Sequence, residues 1–415
     1  MMQVIVFFEH KMRELPALRR LRDELVRRGH AVNIYSIAFE WYDAYRRAKK
    51  NGIDVLLVPW CYRSEQFWRF SPFYEVNSNV KMINLHHEQI TPKLTECVLM
   101  PRDEAACMYP YHFCWTEHFK QGLIDSGVSK ERAFVVGNLR LESVCANEAA
   151  RQELAEAYEL DPSKKWILYA ESRRIDDISI SKIRYDFHEL ANVTVAECDR
   201  YFNRWKESLS KTISQIKALP DDFFASYEFI YRPHPGSTID FDIGQHPKII
   251  SERPISDWLK CVDFFCTWQS TSAFEAEMYG LPVVFHESVP IPAEERMPGV
   301  SDYFSIEDIG AINDKVLESC MRKENVAPIF EKYIGRYSEL TAASYADAIE
   351  AIASVDESLP IVPYSKYWIG KMIVSEAIIK AMKMLGLIRK LHWPHTASMM
   401  YEDIPFGDDK CKDLH

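Results

Sequence analysis

At 415 residues, with 47% hydrophobic side chains, the chain is long enough to build two or three packed domains. Its formal net charge of −11 argues against a nucleic-acid binder, which ordinarily carries a basic face. The ten cysteines include no Cys-x-x-Cys pair, so neither a zinc site nor a compact disulfide framework is expected, and reduced thiols in a cytosolic protein are.

Residues 4–8 are apolar and read as a first β-strand without the basic leader of a signal peptide. Glu9 and His10 follow in a polar loop and are candidate acceptor contacts. An amphipathic helix over 15–28 is stopped by Gly29, a strand covers 31–35, and a helix over 41–50 ends before Gly52. Strands follow at 55–58 and 81–85. The second of these runs into His86-His87-Glu88, two imidazoles and a carboxylate at a strand's carboxyl end, which suits a general base. Neighbouring side chains of an extended chain point opposite ways, so one histidine faces outward. We favour His87, with Glu88 the rival base and His86 the alternative. Strands at 113–115 and 134–136 flank a helix over 117–126, and Gly137 then serves a tight turn or a close backbone approach to a ligand.

The pattern restarts with a helix over 149–158 and a strand over 166–169. Arg173 and Arg174 stand just past that strand, either as diphosphate contacts or as a solvated face. A long polar, helical segment spans 179–219. Strand 227–231 leads into Arg232-Pro233-His234-Pro235, whose prolines fix φ and present Arg232 and His234 where open α/β sheets bind ligands. After strand 248–250, helix 255–261 and strand 262–266 come Ser270, Thr271 and Ser272 at the start of a helix. Free amides and the positive dipole end there suit a phosphate, and Glu275 one turn deeper suits a pair of ribose hydroxyls. An N-cap cluster is the plain alternative. Strand 283–285 follows Gly280 and Pro282.

This alternation predicts an α/β protein: two Rossmann-like doubly wound domains facing a cleft, with a C-terminal helical extension. The expected boundaries are 1–147 for an acceptor domain, 148–355 for a nucleotide-donor domain and 356–415 for a basic tail. No Gly-rich dinucleotide fingerprint supports NAD or FAD, and no paired-Asp metal motif stands out, so no cofactor or metal is expected. Over 366–390 the tail carries Lys366, Lys371, Lys380, Lys383, Arg389 and Lys390 against Glu376. Such a stretch either lies on the inner face of an anionic membrane or packs across the domains. No apolar run reaches the length of a transmembrane helix.

Three segments carry a resemblance: Val135-Val136-Gly137-Asn138-Leu139-Arg140, Tyr231-Arg232-Pro233-His234-Pro235, and Ser270 through Pro282 with its Glu275-Ala276 and Gly280-Leu281-Pro282 ending. The chain resembles glycosyltransferases of the GT-B fold, most of all bacterial surface-carbohydrate biosynthesis proteins. It is more distantly similar to CDP-glycerol glycerophosphotransferases and capsule Kdo transferases. The resemblance implies an inverting, metal-independent transfer from a nucleotide-sugar, CMP- or CDP-linked among the options, to a glycan or lipid-linked glycan. It places Arg232, His234 and Ser270–Ser272 at the donor phosphates and Glu275 at the ribose. Two departures stand out: Glu88 stands where the alditol-phosphate transferases carry the glycine of a His-Gly pair, and Leu139 replaces a proline of the junction motif. A CDP-alditol phosphotransferase, a UDP-sugar epimerase and a silent nucleotide-binding subunit remain as alternatives.

Overall fold

The computed structural model describes residues 1–141, 148–173, 193–234, 242–300, 303–320, 331–335, 338–359 and 365–387. Arg174, most of 179–194, Pro235 and the basic residues 389 and 390 lie outside that set. The described chain forms two compact units: Met1–Gln89, Leu99–Glu142 and Lys332–His415 make the first, and Ile90–Val98 with Ser143–Glu331 the second.

The first unit holds six parallel strands: β1 (Gln3–Phe8), β2 (Ala31–Ser36), β3 (Val55–Val58), β4 (Lys81–Asn84), β5 (Tyr111–Cys114) and β6 (Ala133–Val135). Their order is β2-β1-β3-β4-β5-β6. Both faces of the sheet are covered, so a central strand such as β3 is apolar throughout, as parallel sheets require. Along β1, Val4, Val6 and Phe8 pack against Leu15, Leu18, Leu21 and Leu25 of helix Lys11–Arg27, while Ile5 and Phe7 meet Trp41, Phe70 and Phe73 on the other face.

The second unit repeats the scheme with β7 (Lys165–Ala170), β8 (Tyr227–Arg232), β9 (Lys248–Ile249), β10 (Phe264–Thr267), β11 (Val283–His286) and β12 (Phe304–Ile306). The order is β12-β11-β10-β7-β8-β9, all parallel. β10 starts two residues later than expected because the Asp263 carboxylate turns to accept the Trp166 amide at 2.7 Å. The short edge strand β12 was not anticipated.

The units divide the chain differently from the expected boundaries. Residues assigned above to the end of the donor domain return to the first unit. Helix Thr341–Ala353 carries Tyr345, Ala346, Ile349 and Ile352 on one face and buries them against the first sheet. Tyr345 sets its ring edge-on to Phe113 at 5.1 Å and donates its hydroxyl to the Gly137 carbonyl at 3.1 Å. Gly137 is a turn at φ 87°, where an added Cβ would stand 3.4 Å from Thr341. The close approach that this glycine allows is therefore to a packed helix. In the opposite direction, Leu94 and Val98 pack with Val193, Tyr201 and Phe202 of the second unit.

Helix Ser365–Met384 belongs to the first unit and packs on helices Trp41–Asn51 and Ser71–Val76. Its buried Glu376 accepts the Tyr42 amide at 2.9 Å, a carboxylate set at the open amide end of helix Trp41–Asn51.

Candidate functional site

In an open α/β sheet a ligand crevice lies outside the carboxyl ends of the strands where the order reverses. In the first sheet that point falls between β1 and β3. Glu9 directly follows β1 there, and Trp60 after β3 reaches across to donate its indole N–H to Glu9 Oε2 at 2.8 Å. His87, in the loop after β4, sets Nε2 3.6 Å from Glu9 Oε2 and Nδ1 3.8 Å from Glu14 Oε1. Its imidazole thus sits between two carboxylates, and among the described residues Nδ1 makes no hydrogen bond.

Glu14 escaped the reading of the sequence. The helix begins earlier than its apolar stripe suggests, at Lys11, so Glu14 falls in the first turn and its oxygens accept the amides of Glu9 and His10 at 2.9 and 3.1 Å. A glutamate just inside a helix that follows a β-strand is the only signal the sequence carried for it. The His10 ring stands edge-on to His87 at 6.3 Å. Glu88 accepts from Arg13 at 2.9 Å, and Arg13 also reaches Glu14 at 3.3 Å. Glu88 is therefore engaged as the anchor of a guanidinium. The His87 carbonyl accepts from Arg140 at 3.3 Å, and Gln89 ties the loop after β4 to β5 by donating to the His86 and Phe113 carbonyls, both at 3.1 Å.

His86 turns the other way. At φ 45° it occupies the left-handed region, unusual for a residue with a side chain, and its ring is fully buried. Its Nε2 pairs with His112 Nδ1 at 2.8 Å. Burial, with the neighbouring His112 and His87 adding to it, drives His86 far below the usual imidazole range, and burial takes His112 down to about 3. In the second unit burial and then Arg173 bring His286 to about 3 as well. These three are core histidines, neutral in the folded protein. Unfolded histidines titrate near 6.5, so below that pH the unfolded chain binds protons that the folded core refuses. Stability should fall as pH drops from 6.5 towards 3, by roughly 1.4 kcal/mol per pH unit for each histidine. Urea melts at pH 7 and pH 4.5 measure this. An acid slope that His112→Gln leaves unchanged would remove His112 from the account.

In the second sheet the order reverses between β7 and β10. Their loops meet where Ser172 Oγ accepts the Gln269 amide at 3.2 Å. Gln269 also takes the Met297 amide on its Oε1 at 2.7 Å, which steadies the turn into Ser270. The Ser270 hydroxyl accepts the Ser272 amide at 3.1 Å and so braces the first residue of the short helix Ser272–Met278, whose N-cap is Thr271. Thr271, Ser272 and Glu275 are half-buried beside it. His234 is half-buried after β8.

Arg232, expected at the donor phosphates, and Arg173, for which a diphosphate contact was one alternative, both have partners inside the fold. Arg232 is buried and gives its guanidinium to the carbonyls of Glu252 and Arg253, bracing a turn in which Arg253 has φ 63°. Arg173 is wholly buried and forked onto Glu171, Nε to Oε1 at 2.7 Å and Nη2 to Oε2 at 2.6 Å. It also donates to Ser208 and lies 5.2 Å from the Trp268 ring. Glu171 in turn accepts the amides of Ser172 and Arg173 and the Tyr231 hydroxyl. This network shapes the loop that carries Ser172. Among the described residues no cluster of His, Cys, Asp and Glu is arranged to hold a metal ion.

No protein-family model matches the chain, and no curated protein matches it by sequence. Solved structures do match. The wall teichoic acid polymerase TagF aligns over 85% of this chain and 88% of that chain, at 12% identity and a TM-score of 0.51. A substituted form of the same polymerase gives 85%, 89%, 12% and 0.52. A UDP-GlcNAc 2-epimerase from Methanocaldococcus jannaschii covers 85% and 99% at 13% identity, but its TM-score of 0.46 is too low to bear on the comparison. With two parallel six-stranded Rossmann-like sheets, the chain has the GT-B glycosyltransferase fold.

Proposed function

We propose that the protein is a transferase that moves a sugar from a nucleotide-sugar to a glycan hydroxyl, with inversion and without a metal, in bacterial surface polysaccharide assembly. The observation that carries this is the His87 imidazole held between Glu9 and Glu14 at the reversal point of the first sheet. An imidazole so placed accepts the proton of the acceptor hydroxyl as its oxygen attacks the anomeric carbon, and the two carboxylates stabilise the imidazolium that forms. The electron pair of the broken bond leaves with the nucleotide. On the second unit Ser270–Ser272 and His234 meet the donor phosphates, Ser172 joins them, and Glu275 takes the ribose hydroxyls. Arg232 and Arg173 are given no part in that set, since Arg232 braces the Glu252–Arg253 turn and Arg173 is forked onto the buried Glu171.

The test is a thermal-shift panel of CMP, CDP, UDP and GDP with their sugar conjugates and CDP-glycerol, followed by transfer assays with the donors that bind. At a hundredfold excess over Kd the matching nucleotide should raise Tm by about 5 °C, and Glu275→Ala should abolish the rise. No shift with any nucleotide would sink the donor reading. CDP-glycerol as the productive donor selects the alditol-phosphate reaction, in which the same base serves and phosphorus is the electrophile. Interconversion of a UDP-sugar without acceptor selects the epimerase, and binding without turnover selects a silent subunit.

A further inference from the structure

Helix Ser365–Met384 is apolar on two opposite faces. Trp368 and Met372, with Glu376, recur every four residues and are 5%, 8% and 5% exposed against the first unit. Tyr367, Val374 and Ile378 follow spacings of seven and four, and Leu385 just past the last turn continues them. At 3.6 residues per turn these four form one stripe on the far side from the buried one. They are 58%, 59%, 52% and 68% exposed. An amphipathic surface helix needs only the inner stripe, so the outer one is left for a partner.

The charge around it says which partner. In a chain of net charge −11, this helix carries Lys366, Lys371, Lys380 and Lys383, and its one acid, Glu376, is turned inward. Lys371 leans on Glu65 at 3.2 Å, an exposed pair of small worth that a lipid phosphate can replace, while Lys380 is held by the inward Glu376 and by Asp43. Lys366 forms no ion pair among the described residues. The sequence continues Leu387-Ile388-Arg389-Lys390-Leu391-His392-Trp393, again apolar and basic with an indole. No described helix is long and apolar enough to cross a membrane. A second copy fits less well, since a two-fold contact on the stripe would bring like-charged lysines together.

We propose that the outer face of helix Ser365–Met384 lies on an anionic lipid surface, with Tyr367, Val374, Ile378 and Leu385 entering the interface and Lys366 and Lys371 meeting lipid phosphates. Apolar burial and attraction to anionic headgroups act together in such binding. The inference stands apart from the proposed transfer reaction.

Sedimentation of the full chain with vesicles of phosphatidylcholine, with or without about one-third phosphatidylglycerol, tests it. The protein should pellet with the anionic vesicles and stay largely in solution with the neutral ones. Val374→Glu combined with Ile378→Glu should lower partitioning roughly tenfold at unchanged Tm. Lys366→Glu with Lys371→Glu should remove the preference for anionic lipid. Wild type left in solution with anionic vesicles overturns the proposal. So does equal partitioning of the wild type and the Val374/Ile378 variant, or a stripe-dependent dimer by analytical ultracentrifugation in place of vesicle binding. Transfer to a water-soluble acceptor should be untouched in the stripe variants, which separates this result from any failure of the transferase reading.

Discussion

His87→Ala is expected to slow transfer by about 10²–10⁴-fold, the usual worth of a positioned general base. The donor-induced rise in Tm should survive, because the donor contacts proposed above all come from residues of the second unit and His87 belongs to the first. The loss should appear in kcat more than in the KM for donor. Glu14→Gln tests the orienting role separately. It removes the charge 3.8 Å from Nδ1 and keeps one of the two oxygens that accept the Glu9 and His10 amides, so a modest fall in Tm is expected while the imidazolium loses a counter-charge. Its effect should be smaller than that of His87→Ala and accompanied by a changed pH-rate profile. Near-normal turnover in His87→Ala would overturn the base assignment and return attention to Glu88, which the Arg13 pair now engages.

Arg173→Ala is expected to destabilise the second unit by roughly 3–5 kcal/mol, because it strands the Glu171 carboxylate in a buried site without its counter-charge. For a unit of this size that amounts to a fall in Tm of about 6–20 °C, readable by calorimetry. The pair is wholly buried and bidentate, and Glu171 also holds two backbone amides and the Tyr231 hydroxyl. The contrast is the exposed network of Arg28 with Asp347, where the loss should stay within about 1 kcal/mol. Replacing both buried partners, as in Glu171→Leu with Arg173→Met, should recover part of the loss. It would also free the turn that Glu171 caps, so nucleotide affinity is expected to remain impaired even where stability returns. Equal Tm for Arg173→Ala and wild type would mean that the network adds nothing.

Much of the sheet scaffold was legible because buried parallel strands are short apolar runs separated by amphipathic helices. β12 was missed because three residues with an exposed serine at the centre show no such run. The loops at the strand ends were legible too, since clusters of His, Glu, Arg and Ser interrupt apolar segments sharply. The directions of their side chains were not. Arg173 and Arg232 have the donors that phosphates attract, and the same donors satisfy a buried carboxylate and two backbone carbonyls. Desolvated groups of that kind must be paired, and which residue pairs them depends on neighbours distant in the chain. The return of helix Thr341–Ala353 to the first unit was hidden for the same reason: its apolar stripe announced a buried face and said nothing of which sheet would cover it.

By itself, then, the sequence determined the alternation of strand and helix, the two restarting α/β patterns and the loops rich in reactive side chains, because hydrophobic period and turn chemistry are local properties. Only the tertiary structure decided the strand orders and hence the two reversal points, the meeting of His87 with Glu9 and Glu14, and the burial of His86 while its neighbour faces outward. Those outcomes rest on contacts between residues far apart in the chain, where packing and the pairing of desolvated polar groups choose among arrangements that local preference leaves equal.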